Sequence, residues 1–355
     1  MGVGTQRFAL LRGDLAGPGG GTARRHPLSA RLRLAARFAC VAGGLVLALG
    51  ACSTAPPLRE VPPEQLRAEL QRRLPDVPPE EIVVPYEVGE AAVRRAQALA
   101  SQRRPSQRVR ALIRALSEPD GFALRYTWAV SNSAATTLEA GGGTCMGLSS
   151  LLVGLARELG LEAYYVDASR DPERHSEVEV KVVAGHIAAV VSTENGPLVV
   201  DFTGEMTSGY RYRRMSDLEA AAHYYNNMGY QLIHLAEREG RPAPWDQVSR
   251  QFARATRIAP GFARAWNNLG VASVKLGQID RAERSYRTAL RLEPGLESPR
   301  LNLAGLPTRE AQVLSLAGEP GQASDAPLAP QLRDGSDVGP EQPGATAPPS
   351  EPSLP

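Results

Sequence analysis

Gly141-Gly142-Gly143-Thr144-Cys145-Met146-Gly147-Leu148 is the stretch on which the reading of this 355-residue chain turns. From Leu148 onward the apolar residues Leu148, Leu151, Leu152, Leu155 and Leu159 follow the spacing of one buried helix face. Gly160 stands where a C-terminal cap ends such a helix. Cys145 therefore falls in the first turn, behind a glycine loop that lets another backbone come close and beside Thr144 as the expected cap. Unpaired N–H groups and the positive end of the helix dipole favour a thiolate at that position. The competing reading is a small buried cysteine at a helix start.

Downstream the period switches to two. Glu162–Ala168 reads as a strand, followed by a charged loop from Arg170 to His175 and a second strand at Val178–Val182. His186 opens a third, Ile187–Val191, and Asn195-Gly196 signals a hairpin into Leu198–Phe202, which contains Asp201. A helix bearing Cys, then antiparallel strands bearing His and Asp, is the order a thiol triad needs. The imidazole takes the thiol proton, and the carboxylate fixes the ring and stabilises the imidazolium. A satisfied structural histidine and a strand-end aspartate are the alternatives. A turn centred on Asn195-Gly196 pairs Asp201 with Val190, which puts His186 and Asp201 on one face but about 13 Å apart along the strand. Contact therefore requires a bulge or a turn nearer Thr193-Glu194. No second cysteine or close histidine pair accompanies the three residues as zinc ligands, and no cofactor motif is visible.

Upstream, Glu64–Leu74, Gly89–Ser101 and a segment beginning at Pro105 (Val109, Leu112, Ile113 and Leu116 on one face) read as helices. Pro119-Asp120-Gly121 reads as a turn, and Phe122–Leu138 as irregular chain leading Trp128 toward the glycine loop. Tyr126 and Trp128 are read as core residues or as cleft lining.

The three cysteines divide by position. Arg31, Arg33 and Arg37 precede an apolar run, Phe38–Leu49, too short to span a bilayer but suited to a signal-peptide core. Leu49-Gly50-Ala51-Cys52 resembles a bacterial lipobox, which implies lipidation of Cys52 and removal of Cys40 with the leader. Ser53, rather than aspartate, then points to the outer membrane of a double-membraned cell, facing the periplasm. Cys145 is left as the sole free thiol of an exported chain, a setting that invites a functional explanation. The formal charge of +2 includes +6 from the first 51 residues, leaving −4 for the rest, so no overall basic field exists to hold nucleic acid.

Beyond Ser216-Asp217 the chain repeats itself. Asn226-Asn227-Met228-Gly229 returns as Asn267-Asn268-Leu269-Gly270, and Phe252, Ala255 and Pro260 return 34 residues later as Tyr286, Ala289 and Pro294. The mismatch between the two intervals is read as an insertion around Glu237–Trp245, and Leu301-Asn302-Leu303 as a capping helix. From Gly318 the chain is Pro, Ala, Gly, Ser and acid, a composition that does not fold.

Thr137–Cys145, Leu151–Val166, Gly185-His186-Ile187-Ala188 and Val199-Val200-Asp201-Phe202 together resemble bacterial transglutaminase-like domains. The repeat, with Trp266, Gly270, Gly277, Ala282 and Tyr286, resembles a tetratricopeptide repeat. The first resemblance implies an α+β papain-like fold with Cys145 as nucleophile, His186 as base and Asp201 as orienting acid, acting on amide or acyl bonds without a cofactor. Thr144, Gly147 and Ala188 depart from the residues common in relatives at those places. The second implies an all-α array with a concave groove for an envelope protein or peptide, with Asn227, Asn268 and Asn302 as candidate contacts. The expected organisation is a leader (1–51), a lipidated tether and short helix (52–84), the thiol domain (85–215), the repeats (216–316), packed on it, and a disordered tail (317–355). A non-catalytic envelope adaptor with a vestigial triad is the alternative.

Overall fold

Proline at the first helical position starts two of the first three described α-helices: α1 (Pro63–Arg73) and α3 (Pro105–Ser117), with α2 (Glu90–Leu99) between them. The computed structural model describes residues 9–12, 60–127, 133–169, 186–203 and 211–306, all within one compact unit. Most of the expected leader, Cys52, Trp128, the charged loop with His175, the expected strand at 178–182 and the tail lie outside the described residues. Residues 9–12, within the stretch read as leader, form β1 (Ala9–Arg12).

The segment expected to be irregular before the thiol contains a short strand, β2 (Arg125–Tyr126), and a helix, α4 (Ala134–Glu139). Ser133 and Thr136 cap α4 reciprocally, a signal written in short polar residues that period counting passes over. β2 pairs in parallel with β3 (Gly142–Gly143). A Cβ at Gly142 would sit 2.4 Å from the Arg125 carbonyl oxygen, so the glycine loop admits a neighbouring backbone strand. α5 (Cys145–Glu158) follows directly.

β4 (Ala163–Ser169), β5 (Ile187–Thr193), β6 (Gly196–Asp201) and β7 (Arg211–Arg214) join β1 in a five-stranded sheet of order β1-β6-β5-β4-β7. Alternation decides what faces α5. Ala163, Tyr165, Ile187, Ala189, Val191 and Val200 pack with Leu148, Leu151, Leu152 and Leu155 in the main core. Each of these four leucines is fully buried, which by area stabilises the fold by about 1.5–3 kcal/mol apiece. Tyr164, Val166, Ala188, Val190 and Val199 form a second buried cluster on the opposite face.

The C-terminal half is helical: α6 (Asp217–Arg238), α7 (Trp245–Ile258), α8 (Ala263–Lys275), α9 (Ile279–Leu292) and α10 (Glu297–Ala304). Its repetition is physical as well as textual. A Cβ on Gly229 would lie 2.5 Å from the Phe252 ring, and one on Gly270 would lie 2.4 Å from the Tyr286 ring, the same lock made twice. The insertion proves to be partly helical, because α6 runs to Arg238 before Gly240 turns the chain at φ 62°. A capping box at Ser216 and Glu219 starts this long helix.

The main core runs without a break from the sheet and α5 into Ala220, Tyr225, Ala255, Ile258, Phe262 and Ala265. Polar contacts cross the same boundary. Val83 N–H donates to the Tyr225 hydroxyl at 3.3 Å, Arg73 donates to the Ile258 carbonyl at 2.6 Å, and Arg264 pairs with Asp167. The most buried pair is Arg157 of α5 with Asp217 of α6, two parallel bonds of 2.9 and 2.8 Å between side chains 12% and 3% exposed. Val61 N–H donates to the same carboxylate at 2.9 Å.

Removing one partner of such a pair strands a buried charge, at a cost of about 3–5 kcal/mol. Asp217→Ala should therefore lower the urea unfolding free energy by that amount. A loss below about 1 kcal/mol, the size of an exposed ion pair, would show that the contact does not join the two halves.

Candidate active site

Cys145 occupies the first residue of α5 because Thr144, in extended conformation, accepts a long hydrogen bond from Gly147 N–H (3.4 Å) and starts the helix there. The thiol is the one free cysteine of the described residues and is partly exposed. His186 immediately precedes β5, and its carbonyl accepts from Ala168 N–H at 2.9 Å, which ties that end of β5 to β4. Ser149 of α5 donates to the carbonyl of the next residue, Ile187, at 3.4 Å, so the thiol helix grips the start of the histidine strand.

Asp201 reaches the histidine because the hairpin turns one residue earlier than Asn195-Gly196. Thr193 pairs with Gly196, leaving Glu194 and Asn195 as the turn, and Ala189 pairs with Val200. Neither turn residue has a positive φ; Gly196 takes it instead, at 98°, on the first residue of the returning strand. The Thr193 hydroxyl fixes this register by donating to the Gly196 carbonyl at 2.7 Å and accepting from Asn195 N–H at 3.1 Å. Continuing the register puts Ala188 opposite Asp201, so His186 is two residues away along the strand and on the same face. Side chains close that gap: His186 Nε2 lies 3.1 Å from Asp201 Oδ1.

The three side chains thus meet. The His186 ring is in hydrogen-bond contact with Cys145 as well as Asp201. Burial works against the imidazolium, but the hydrogen bonds to Asp201 and Cys145 and their negative charges outweigh it and push the ring up to about 10. Asp201 has a fully buried side chain, a setting that by itself raises a carboxyl. His186 and Thr203 reverse this and hold the carboxyl below its ordinary value. Thr203 is the residue that period and triad counting missed. Its N–H donates to Oδ1 at 3.0 Å, and its hydroxyl lies 2.9 Å from both carboxylate oxygens. Asp-x-Thr at a strand end, which favours a local turn of this kind, was the available signal.

The other described histidines serve elsewhere. His223 is buried and stacked on Phe262 at 4.0 Å, and burial, then Arg264 and Arg213, holds it well below its ordinary value. His234 is partly exposed, 3.9 Å from Glu237. Among the described residues no group of three His, Cys, Asp or Glu side chains could hold a metal ion.

The asparagines read as peptide contacts are buried, and this corrects that expectation for at least two of them. Asn268 donates to Asn226 at 2.8 Å, Asn267 to Asn268 at 3.2 Å, and Asn302 to Asn267 at 2.9 Å. Asn268 and Asn302 thus spend amide groups linking α6, α8 and α10. Asn227 is 7% exposed, with its carbonyl oxygen unpartnered. Buried amides seek partners, and here the neighbouring helices offer them.

Two family comparisons agree with this geometry. The transglutaminase-like superfamily matches residues 93–202, and the tetratricopeptide repeat matches residues 263–296. No curated protein and no solved structure matches the chain.

A ring raised by its partners stabilises the folded state fully below the unfolded histidine value of about 6.5. That contribution is lost as pH climbs through about 10. Nuclear magnetic resonance of the ring should follow this titration. Asp201→Asn should lower its midpoint by more than a unit, whereas the ordinary midpoint in the wild type would show that the contact is absent in solution.

Proposed function

From a transglutaminase-like thiol domain joined to tetratricopeptide repeats, we propose a lipid-anchored cell-envelope protein that cleaves or transfers acyl groups through Cys145. The observation that carries this reading is that one imidazole touches both the only described thiol and a fully buried carboxylate.

In this mechanism Cys145 Sγ, giving its proton to His186, attacks an amide carbonyl carbon to form a tetrahedral oxyanion. The imidazolium gives its proton to the departing amine as the C–N bond breaks, leaving a thioester on Sγ and a neutral ring. Acylation also removes the negative charge that helps hold the ring protonated. The neutral imidazole then takes a proton from water or an incoming amine as that nucleophile attacks the thioester. Collapse of the second intermediate releases acid or new amide, and the proton returns to the Cys145–His186 pair. Asp201, held by Thr203, keeps the ring oriented through both halves. The repeats support a protein or peptide partner in the envelope, and the lipobox-like Leu49-Gly50-Ala51-Cys52 supports the anchor. No described helix is long and apolar enough to cross a membrane.

Alkylation of Cys145 by iodoacetamide at pH 7 tests the thiol chemistry. His186→Ala should slow it at least about tenfold, the effect of roughly 1.4 kcal/mol, with Asp201→Asn slowing it less and His175→Ala leaving it unchanged. Indifference to His186→Ala would favour an adaptor with a vestigial triad. For the anchor, Cys52→Ser should abolish incorporation of a labelled lipid precursor. A wild-type chain that takes up no label would exclude lipidation.

A further inference from the structure

Between Glu90 and Glu118 the chain carries seven arginines and neither an acid nor a lysine. The near-balanced charge of the whole chain conceals this, and only the fold shows where these groups point. Three are engaged within the domain. Arg94 reaches Glu90 at 3.1 Å, Arg95 donates to the Asp120 and Gly121 carbonyls, and Arg108 donates to the carbonyls of Gln102 (3.0 Å) and Leu159 (2.8 Å).

Arg103, Arg104, Arg110 and Arg114 are exposed, and no side-chain hydrogen bond, ion pair or ring contact engages them among the described residues. Arg103 and Arg104 stand at the N-terminal end of α3. Arg110 and Arg114 follow along its outer face, opposite buried Val109, Leu112, Ile113 and Leu116. The span from Arg104 to Arg114 is about 15 Å. The N-terminal end of this arrangement is locally unfavourable, because Arg103 and Arg104 oppose the helix dipole; Arg114, in the last turn, meets its favourable end but repels Arg110 at i, i+4. One nearby acid, Glu194, accepts from Ser106 N–H at 2.9 Å and sets one negative charge near Arg104. Among the described residues the four cations thus have one nearby acid between them, and the excess positive charge fits an external anion.

Its position says which one. The Arg108 bond to Leu159 places the N-terminal part of α3 at the C-terminal end of α5. At that same end, Arg157 lies 3.6 Å from Glu60, and Glu60 accepts from Ala163 N–H at 2.7 Å. Glu60 is the first described residue within the stretch read as a tether. The root of the tether and the arginine patch thus share one end of the domain. Cys145 is at the other end of α5, about 20 Å away.

We propose that the exposed arginines of α3 form a docking surface for anionic phospholipid headgroups, which holds the thiol domain against the membrane with Cys145 turned away from it. The proposal rests on the lipid-anchored reading for its biological setting. The eight residues after Cys52 reach at most about 28 Å, so the anchor keeps the patch near the bilayer and raises its effective concentration there. Guanidinium groups suit phosphate because each can offer two parallel N–H donors.

The test uses the mature chain, residues 52–355, with Cys52→Ser, which carries neither an acyl chain nor the leader's arginines and apolar run, in flotation with vesicles of phosphatidylglycerol and phosphatidylcholine or of phosphatidylcholine alone. Binding should require the anionic lipid and weaken sharply in 0.5 M salt, where the charges are screened over about 4–5 Å. Each arginine near an anionic surface contributes roughly a fivefold gain in partitioning. Replacing all four with glutamine should therefore cut binding at least about thirtyfold, with an unchanged melting curve showing that the fold is kept. Arg281→Gln with Arg287→Gln, on the repeats, should have no effect. Equal binding to neutral vesicles, or full binding by the four-glutamine variant, would overturn the proposal. So would displacement from vesicles by an oligonucleotide or polyglutamate at lower concentration than by phosphatidylglycerol. Because the protein is unacylated, a failure of lipid labelling at Cys52 cannot be mistaken for a failure of this surface.

Discussion

The bidentate pair of Arg157 with Asp217 is the joint on which the two halves of the chain depend. Arg157 belongs to the last turn of the thiol helix, and Asp217 to the first turn of the helix that opens the repeats. The guanidinium also donates to the Ala163 carbonyl at the start of β4 and lies 4.7 Å over the Tyr86 ring, while Tyr86 donates to the Val61 carbonyl. Three remote segments thus converge on one nearly buried charge pair. Such a pair contributes little net stability over an apolar replacement, but it penalises every arrangement that separates its members.

α5 carries that constraint to the chemistry. One end bears Cys145 and the other Arg157, and between them fully buried leucines press the helix onto the sheet. The histidine strand is held to the same helix through Ser149, and the aspartate strand to the histidine strand through the Thr193 turn. Among the described residues the triad members therefore share a single frame. Asp201 illustrates the electrostatic cost. A carboxylate with no exposed surface must be met by donors on both oxygens, and Thr203 with His186 supplies them.

The repeats show the same economy with neutral groups. The amides of Asn226, Asn267, Asn268 and Asn302 close on one another across three helices, and Gly229 and Gly270 each receive an aromatic ring. These contacts fix the spacing of the helices, and the thiol domain occupies one side of the array through Asp167–Arg264 and the shared core. Any groove for a partner is what remains after the chain has gripped itself.

The thiol helix, its cap and its end were legible from Leu148, Leu151, Leu152, Leu155, Thr144 and Gly160, because helical period and capping are local properties. The repeat was legible for a related reason: each unit makes the same contacts, so Gly229–Phe252 and Gly270–Tyr286 leave the same mark in the text. The order of Cys, His and Asp was legible as well. Their meeting was not, because a hairpin displaced by one residue moves a pair by two positions, and the Thr193 hydroxyl that sets it is a side-chain bond no period records. Thr203, the Ser133 capping box and the asparagine ladder escaped for the same reason: each is a polar contact whose partner is known only once the chain is folded. The joint between the halves lay furthest from view. Arg157 and Asp217 are ordinary charged residues sixty positions apart, and only tertiary packing buries them against each other.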